Sequence, residues 1–517
     1  MTDQTDSASG AIEPDTPGAA RPSARRTFGA WFGGLWRLLS DRRAGTESEI
    51  DRWAAVAFIA LAVPLGLTFV FLIPPSQVID EQSHFMRAWQ LSELNLRTGI
   101  REDPSTGTDR NGSVYDECVV EYLAENVRVA QSPSDFSIRD TWLDTPDCSP
   151  QRRSFEFFDT AVGYGPWSYP GQTVALSVSR AVGLPLPVAF HLGRLGGLFV
   201  FVGAVAAALR IAPRGRLAIL AVGLLPMSLM TASAYNADGI MIAGSLLAVA
   251  CALRLAIDDQ LGHRHRWIAG VMSVSLAAVV LTKPNYIVML GLFLLVPLSG
   301  FRSVTFGRWM LAGIAAGIAA VAAVSYATLS GASTSPIYYP DTDPSAQVRS
   351  LVTDPIGFLH VVWDTLFSYT YEIFFLRGWV GIFGMLRSGR PEVASLLAVP
   401  FVILAFVAVS LATAVEAGPK RNIPARTSWW RLAVVVSIGV IGMLSVFAVA
   451  FVSWTVPGSQ VIEGVQGRYL LPFVPLVAAA LSLRRYRSNM SLGVRGVVVV
   501  ALVLGLASID KYVALFY

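Results

Sequence analysis

The chain has 517 residues, of which 53% are hydrophobic and 15% charged, and its mean hydropathy is +0.53. This composition excludes an ordinary soluble globular protein and indicates a polytopic membrane protein. The formal net charge of +4 does not indicate a nucleic-acid partner, because the arginines fall in short loops between apolar segments, where they orient membrane helices.

A basic tail precedes the first membrane segment. Residues 1 to about 48 are rich in Ser, Pro, Ala, Gly and Thr, and they include Arg25, Arg26, Arg37, Arg42 and Arg43. This composition predicts a mostly disordered tail, in which 28–39 could form a helix on the membrane surface. The apolar segment at about 53–73 is close to the ~20 residues that cross a bilayer, and the basic tail before it places the N-terminus in the cytoplasm.

Ten further apolar segments follow the first. They lie at about 187–209, 216–233, 238–257, 267–282, 285–299, 309–329, 392–415, 432–454, 469–483 and 494–516. If each one spans, the arginine-rich loops, such as those around Arg214 and Arg421, fall on the cytoplasmic side. The prediction is an all-α polytopic membrane protein with about 11 transmembrane helices and an external C-terminus.

Two long polar segments, 74–186 and 330–391, become the first and fourth outer loops in this topology. Connections of this length are usually functional. Near the end of the first loop, about 172–182 is amphipathic but too short to span, so we expect a helix at the membrane interface. We divide the chain into the tail 1–48, a membrane module 49–391 that contains both loops, and C-terminal membrane helices 392–517.

Two of the three cysteines, Cys118 and Cys148, lie in the first outer loop. A disulfide between them is permitted if the loop is outside the cytoplasm, although both could instead be unpaired. Cys251 lies within an apolar segment and is expected to behave as a small core hydrophobe.

Two adjacent carboxylates, Asp80 and Glu81, follow the first span where the membrane ends and water begins. Such a pair can supply a general base for an incoming hydroxyl or help to hold a divalent cation against a phosphate. An acidic helix cap is the simpler alternative. His84, one helical turn later, could orient a carboxylate or bind substrate, although a lone histidine is more often structural.

Arg468 is the best candidate for a phosphate ligand. Its planar fork suits bidentate contact with phosphate, and Gln466 and Gly467 before it allow close approach of the backbone. Lys283 is a weaker candidate, because a lone lysine at a helix end often extends to the lipid headgroups. Asp238 is unusual between two apolar spans, although capping the next helix would explain it.

The remaining polar candidates also map to the outer side, so one external site at the membrane surface is the simplest interpretation. The candidates for substrate binding are His84, Asp238, Asn236, Gln466, Tyr469, Glu372, Arg377 and Trp167. Aromatic residues such as Trp167 can stack on a sugar, but an interfacial aromatic belt also accounts for them.

Two motifs carry a family resemblance. They are Asp80-Glu81-x-x-His84-x-x-Arg87-Ala88 and Gly464-Val465-Gln466-Gly467-Arg468-Tyr469-Leu470-Leu471-Pro472. Together they resemble the bacterial membrane proteins grouped as domain of unknown function 2142, over about 55–512. That family is similar to the GT-C glycosyltransferases, in which the first outer loop carries the catalytic acid and the fourth helps to enclose the donor. Family members usually have the acidic pair almost directly after proline, whereas Ser76 to Ile79 intervene here, so either acid could hold the catalytic position.

The resemblance implies an inverting glycosyltransferase, with 49–391 as its GT-C-like catalytic module. It would move a sugar from a polyprenyl-phosphate donor to a glycan, lipid or protein of the cell envelope, at the outer face of the bacterial plasma membrane. Asp80 or Glu81 would be the base, and Mg²⁺, Mn²⁺ or Ca²⁺ could assist. A transporter or flippase of lipid-linked saccharide and a non-catalytic envelope-assembly protein are the alternatives; a transporter would need ionisable residues near the membrane midplane.

Overall fold

The computed structural model describes residues 47–105, 107–131, 152–213, 215–257, 263–329, 341–367, 428–476 and 490–516. The expected tail helix at 28–39, the expected span at 392–415, Cys148, Glu372 and Arg377 lie outside these residues. Helices α1 to α14 run over Glu47–Leu72, Glu81–Ser92, Glu117–Gln131, Pro170–Ala181, Leu186–Ile211, Arg216–Gly223, Pro226–Ala232, Asp238–Ile257, His263–Thr282, Val304–Leu329, Pro344–Thr353, Pro355–Phe367, Ser428–Trp454 and Met490–Phe516.

Six helices in the described part of the chain are long and apolar enough to cross a membrane. They are Trp53–Leu72, Leu186–Ile211, Asp238–Ala256, His265–Thr282, Val304–Leu329 and Trp429–Trp454. All six coincide with apolar segments that the sequence predicted to span, so the chain is a membrane protein with several transmembrane helices. The total of eleven stays a prediction.

Three of the predicted spans have a different local structure. The segment 216–233 is divided into α6 and α7, because Leu225 precedes Pro226 and takes an extended conformation with ψ of 137°, as residues before proline usually do. Most of 285–299 forms a 3-10 helix, Pro284–Leu295, and 469–483 begins in another, Gly467–Phe473. Apolar composition predicts burial in lipid or protein, but it does not determine which backbone hydrogen bonds form.

The first outer segment contains a three-stranded antiparallel sheet, which corrects the all-α prediction to a mostly helical fold. Strands β1, β2 and β3 cover Gly99–Asp103, Thr108–Asp116 and Arg153–Phe157, in that spatial order. Gly112 in the central strand pairs with Gly99 on one side and Phe157 on the other. A Cβ at Gly112 would overlap the carbonyl oxygen of Glu156, so only glycine fits.

The first outer segment packs onto the membrane helices through its own aromatic core. Phe85 on α2 contacts Phe190 on α5 and Tyr235 just before α8, each with ring centroids 4.8 Å apart. The helix expected near 172–182 is present as α4, and Leu176 on its inner face is fully buried. This core fixes α2, and therefore the acidic pair at its start, against the ends of the spans.

Candidate functional site

Candidate residues from distant parts of the sequence meet where four membrane helices end. An ion pair between Arg194 and Glu81 joins α5, about two turns from its start, to the first residue of α2. An ion pair between Lys283 and Asp238 joins the end of α9 to the start of α8. Arg468, from the 3-10 helix Gly467–Phe473, is ion-paired to Asp238 as well. The four helix ends therefore surround one polar site.

Asp238 is the centre of the cationic half of this site. Its Oδ1 lies 2.6 Å from Nζ of Lys283, and its Oδ2 lies 2.7 Å from Nε of Arg468. The backbone N–H of Asp238 donates to Oδ1 of Asn236 at 2.8 Å, and the amide of Asn236 contacts the carbonyl of Ile79 at 3.5 Å. Asn236 therefore binds the backbone at the start of α8, and the carboxylate of Asp238 orients two cations.

Glu81 is fully buried in a bidentate ion pair. Arg194 donates from Nε to Oε1 at 2.8 Å and from Nη2 to Oε2 at 2.6 Å, and both side chains have 0% exposure. The backbone N–H of Tyr235 donates to Oε1 at 3.1 Å. Because both carboxylate oxygens already accept hydrogen bonds out of contact with water, the geometry favours a structural role for Glu81, and the choice of base between the two acids stays a prediction.

Asp80 has the opposite environment to that of its neighbour. Its side chain is 41% exposed, and Oδ2 lies 3.6 Å from Nη2 of Arg468. It occupies the position before α2 with φ of 63° and makes no side-chain capping hydrogen bond there. Aspartate tolerates this left-handed conformation better than most residues do, but it still costs free energy, so surrounding contacts must hold it. The acidic pair is thus divided into one accessible and one buried carboxylate.

We call Asp80, Asp238, Lys283 and Arg468 the ion-pair cluster, which has two negative and two positive side chains. Burial lowers the pKa of Lys283, but Asp238 and neighbouring tyrosines outweigh that effect, and the net pKa is raised. Burial likewise lowers the pKa of Arg468, and Tyr469, Asp238 and Asp80 raise it above its ordinary value. Both cations therefore keep their charge throughout the physiological pH range.

His84 is buried beside the ion-pair cluster and is uncharged at neutral pH. Its Nδ1 shares a hydrogen bond with the hydroxyl of Tyr169 at 2.5 Å, and its ring centroid lies 5.2 Å from that of Tyr164. Burial lowers the pKa of His84 to about 4, although the nearby Asp80 acts in the opposite direction. A neutral imidazole between two tyrosines acts here as a packing and hydrogen-bonding group.

The structure also describes three other predicted site residues, Tyr469, Trp167 and Gln466. The ring of Tyr469 lies 4.1 Å from Nζ of Lys283, and its carbonyl accepts from the hydroxyl of Tyr286 at 2.6 Å. Trp167 donates from its indole nitrogen to the carbonyl of Leu281, at the end of α9. Gln466 has a buried side-chain oxygen with no hydrogen-bond donor among the described residues.

The structure describes two of the three cysteines, and they differ in bonding state. Cys118, at the start of α3, is disulfide-bonded, whereas Cys148 lies outside the described residues. Cys251 is a free thiol buried within α8, in the surroundings expected for a small hydrophobic side chain.

Arg194 is the functional candidate that sequence reasoning missed. Its Nη1 donates to the carbonyls of Val70 at 3.0 Å and Ile73 at 2.6 Å, and its Nη2 donates to that of Pro74 at 3.1 Å. A signal was available, since an arginine inside an otherwise apolar span is costly and usually has a specific partner.

Of the two acids expected to hold a divalent cation, only Asp80 has an accessible carboxylate. Both oxygens of Glu81 are held by Arg194, and those of Asp238 by Lys283 and Arg468. Among the described residues, no three His, Cys, Asp or Glu side chains are placed to hold a metal ion. We therefore assign no step to a cation.

Comparison with known proteins adds one match. The family model described as a predicted membrane protein, DUF2142, matches residues 64–477, which is most of the chain. No curated protein and no solved structure matches the chain. The matched range includes both Asp80 and Arg468, and with them the whole ion-pair cluster.

Proposed function

The chain belongs to the DUF2142 family of membrane proteins, and we propose that it is an inverting glycosyltransferase that uses a polyprenyl-phosphate sugar. The observation that carries this proposal is the 3.6 Å separation between the partly exposed carboxylate of Asp80 and the guanidinium of Arg468. A base and a phosphate-binding cation side by side are what transfer of a sugar from a lipid phosphate requires.

Asp80 is the proposed general base. It takes the proton from an acceptor hydroxyl, whose oxygen then forms a bond to the anomeric carbon of the donor sugar. The bond between that carbon and the phosphate oxygen breaks at the same time, and its electron pair leaves with the phosphate. Attack from the side opposite the phosphate inverts the anomeric configuration.

Arg468 and Lys283 are the proposed ligands of the donor phosphate. Asp238 contacts Arg468 through Nε and Asp80 lies 3.6 Å from Nη2, so Nη1 and the second hydrogen of Nη2 can bind phosphate oxygens as a fork. Lys283 has two further ammonium protons beyond the one directed at Asp238. Asp238 thus holds both cations in fixed directions before the donor arrives, and that preorganisation lowers the barrier as charge develops on the phosphate.

The position of the cluster at helix ends suits a substrate with a lipid tail. A polyprenyl chain would lie among apolar side chains while its phosphate reaches the polar boundary. We place this boundary on the outer face of the bacterial plasma membrane, because the basic tail favours a cytoplasmic N-terminus and α1 then ends outside. The acceptor would be a glycan, lipid or protein of the cell envelope.

The test is transfer by the purified protein in liposomes. Polyprenyl-phosphate sugars carrying a radiolabelled hexose or pentose are supplied with a cell-envelope preparation, and transfer is compared between the wild type and Asp80→Asn. Label that moves to the acceptor only with the wild type supports the proposal. Intact labelled donor that crosses the bilayer without cleavage would instead indicate a flippase. If the protein neither transfers nor translocates the donor, the result would indicate an assembly protein.

A further inference from the structure

Arg194 contacts two of the segments that flank Asp80. It binds both oxygens of Glu81, the residue after Asp80, and three backbone carbonyls in the segment 70–74. All five hydrogen bonds are between 2.6 and 3.1 Å. At about 1.5 Å rise per residue, Arg194 lies roughly 12 Å inside the start of α5, so these partners satisfy it away from water.

The same contacts extend to Asp238. Oε1 of Glu81 accepts the backbone N–H of Tyr235, and the next residue, Asn236, contacts the carbonyl of Ile79. The turn that carries Asp80 is therefore tied on one side to the end of α1 and on the other to the start of α8. Arg194 makes the first tie directly, and it shares Oε1 of Glu81 with the second.

We infer that Arg194 is a positioning residue, which holds Asp80 opposite Arg468 through Glu81 and the end of the first span. It has 0% exposure and lies behind Glu81, so it need not touch substrate. The left-handed backbone of Asp80, with φ of 63°, is the conformation that this arrangement maintains. This inference rests on the proposed function for the importance of Asp80, but the geometry it describes can be measured without any substrate.

The substrate-free test uses Asp80→Cys as a reporter. A thiol beside Arg468 should have a pKa below the ordinary ~8.5, because a nearby cation favours the thiolate. Its alkylation is followed against pH by mass spectrometry of the peptide that contains residue 80. The reporter is compared alone and together with Arg194→Lys or Glu81→Gln.

We expect either second change to move the alkylation profile towards that of an ordinary thiol and to slow labelling at pH 7 about threefold to tenfold. Arg180→Lys is the matched control. Arg180 pairs with Glu93 at 2.9 Å within the first outer segment but away from Asp80, so this change should leave the alkylation profile unchanged. Glu81→Gln keeps the side-chain volume and serves if Arg194→Lys does not fold. An unchanged profile in either folded variant would overturn the inference.

The transfer assay then separates this inference from the proposed function. With Asp80 intact, Arg194→Lys should lower kcat more than it raises the KM for the donor, because the phosphate ligands remain in place. If the wild type transfers no sugar while the alkylation profile still responds to Arg194, the proposed function fails and the positioning role stands.

Discussion

Nε of Arg468 lies 2.7 Å from Oδ2 of Asp238, although the two residues are 230 positions apart in the chain. Asp238 opens one membrane helix, and Arg468 belongs to a 3-10 helix near the C-terminal end of the matched family range. Their contact brings together residues from the first and second halves of the chain.

Replacing Asp80 with asparagine should abolish most sugar transfer without harming the fold. The amide keeps the shape of the side chain but cannot accept the proton, and general-base catalysis is typically worth about 10²- to 10⁴-fold. Transfer rates are measured beside Asp109→Asn, a matched change at an exposed position in β2. Near-normal turnover by Asp80→Asn would remove it as the base.

Replacing Glu81 with glutamine should lower stability, and it should also lower transfer because Glu81 helps to hold Asp80 in place. Breaking a buried ion pair typically costs about 3–5 kcal/mol, because one charge is left unpaired away from water. Thermal unfolding in detergent should show a clear fall for Glu81→Gln and little change for Asp80→Asn. The reverse pattern, an unchanged melting curve with no transfer, would make Glu81 the base instead.

Replacing Arg468 with lysine should weaken use of the donor. Lysine keeps the positive charge but loses the fork that contacts Asp238 and a phosphate at the same time. We expect a higher KM for the polyprenyl-phosphate sugar and a lower kcat, measured by initial rates over a range of donor concentrations. Arg349→Lys, an exposed change on α11, should behave like the wild type.

His84 should make the protein sensitive to acid. Its pKa is about 4 in the folded protein against 6.5 for the ordinary group, so the unfolded chain binds the extra proton first as pH falls. The contribution of His84 to the free energy of unfolding is therefore unchanged above pH ~6.5. Below that pH it decreases, by about 2 kcal/mol at pH 5. The loss of melting temperature between pH 7.5 and pH 5 should be smaller in His84→Gln than in the wild type.

The proposed topology can be tested by labelling introduced cysteines in intact cells. Asp109→Cys and Asp343→Cys should react with a membrane-impermeant reagent, because both lie in predicted outer loops and are exposed. Arg210→Cys, at the other end of α5, should react only after permeabilisation. External labelling of Arg210→Cys would invert the topology and move the proposed site to the cytoplasmic face.

Much of the candidate site was accessible to sequence reasoning. Asp80, Asp238, Lys283 and Arg468 stand at the ends of apolar segments, and alternation of the chain across a membrane puts those ends on one side. Their grouping needed only the order of the segments. The structure adds that Asp238 pairs with both cations, which no spacing in the sequence could indicate.

Other features depended on contacts that a linear pattern does not contain. Glu81 and Arg194 are 113 residues apart, and only folding makes one acid buried and its neighbour accessible. The segment Pro284–Leu295 forms a 3-10 helix, but its apolar composition would suit an α-helix equally well. The sheet lies in a polar segment whose three short strands carry no strong alternation of apolar and polar residues, so it was not predicted.

The contacts of Arg194 also have a consequence for how the chain enters the membrane. An arginine at the centre of a span opposes insertion by about 2.5–3.5 kcal/mol, and Arg194 lies roughly 12 Å inside α5. Glu81 and the carbonyls of 70–74 all precede Arg194 in the chain, so they are synthesised before it. The partners of Arg194 are therefore already part of the chain when the segment Leu186–Ile211 enters the membrane, so the ion pair with Glu81 can offset the cost of that arginine during insertion.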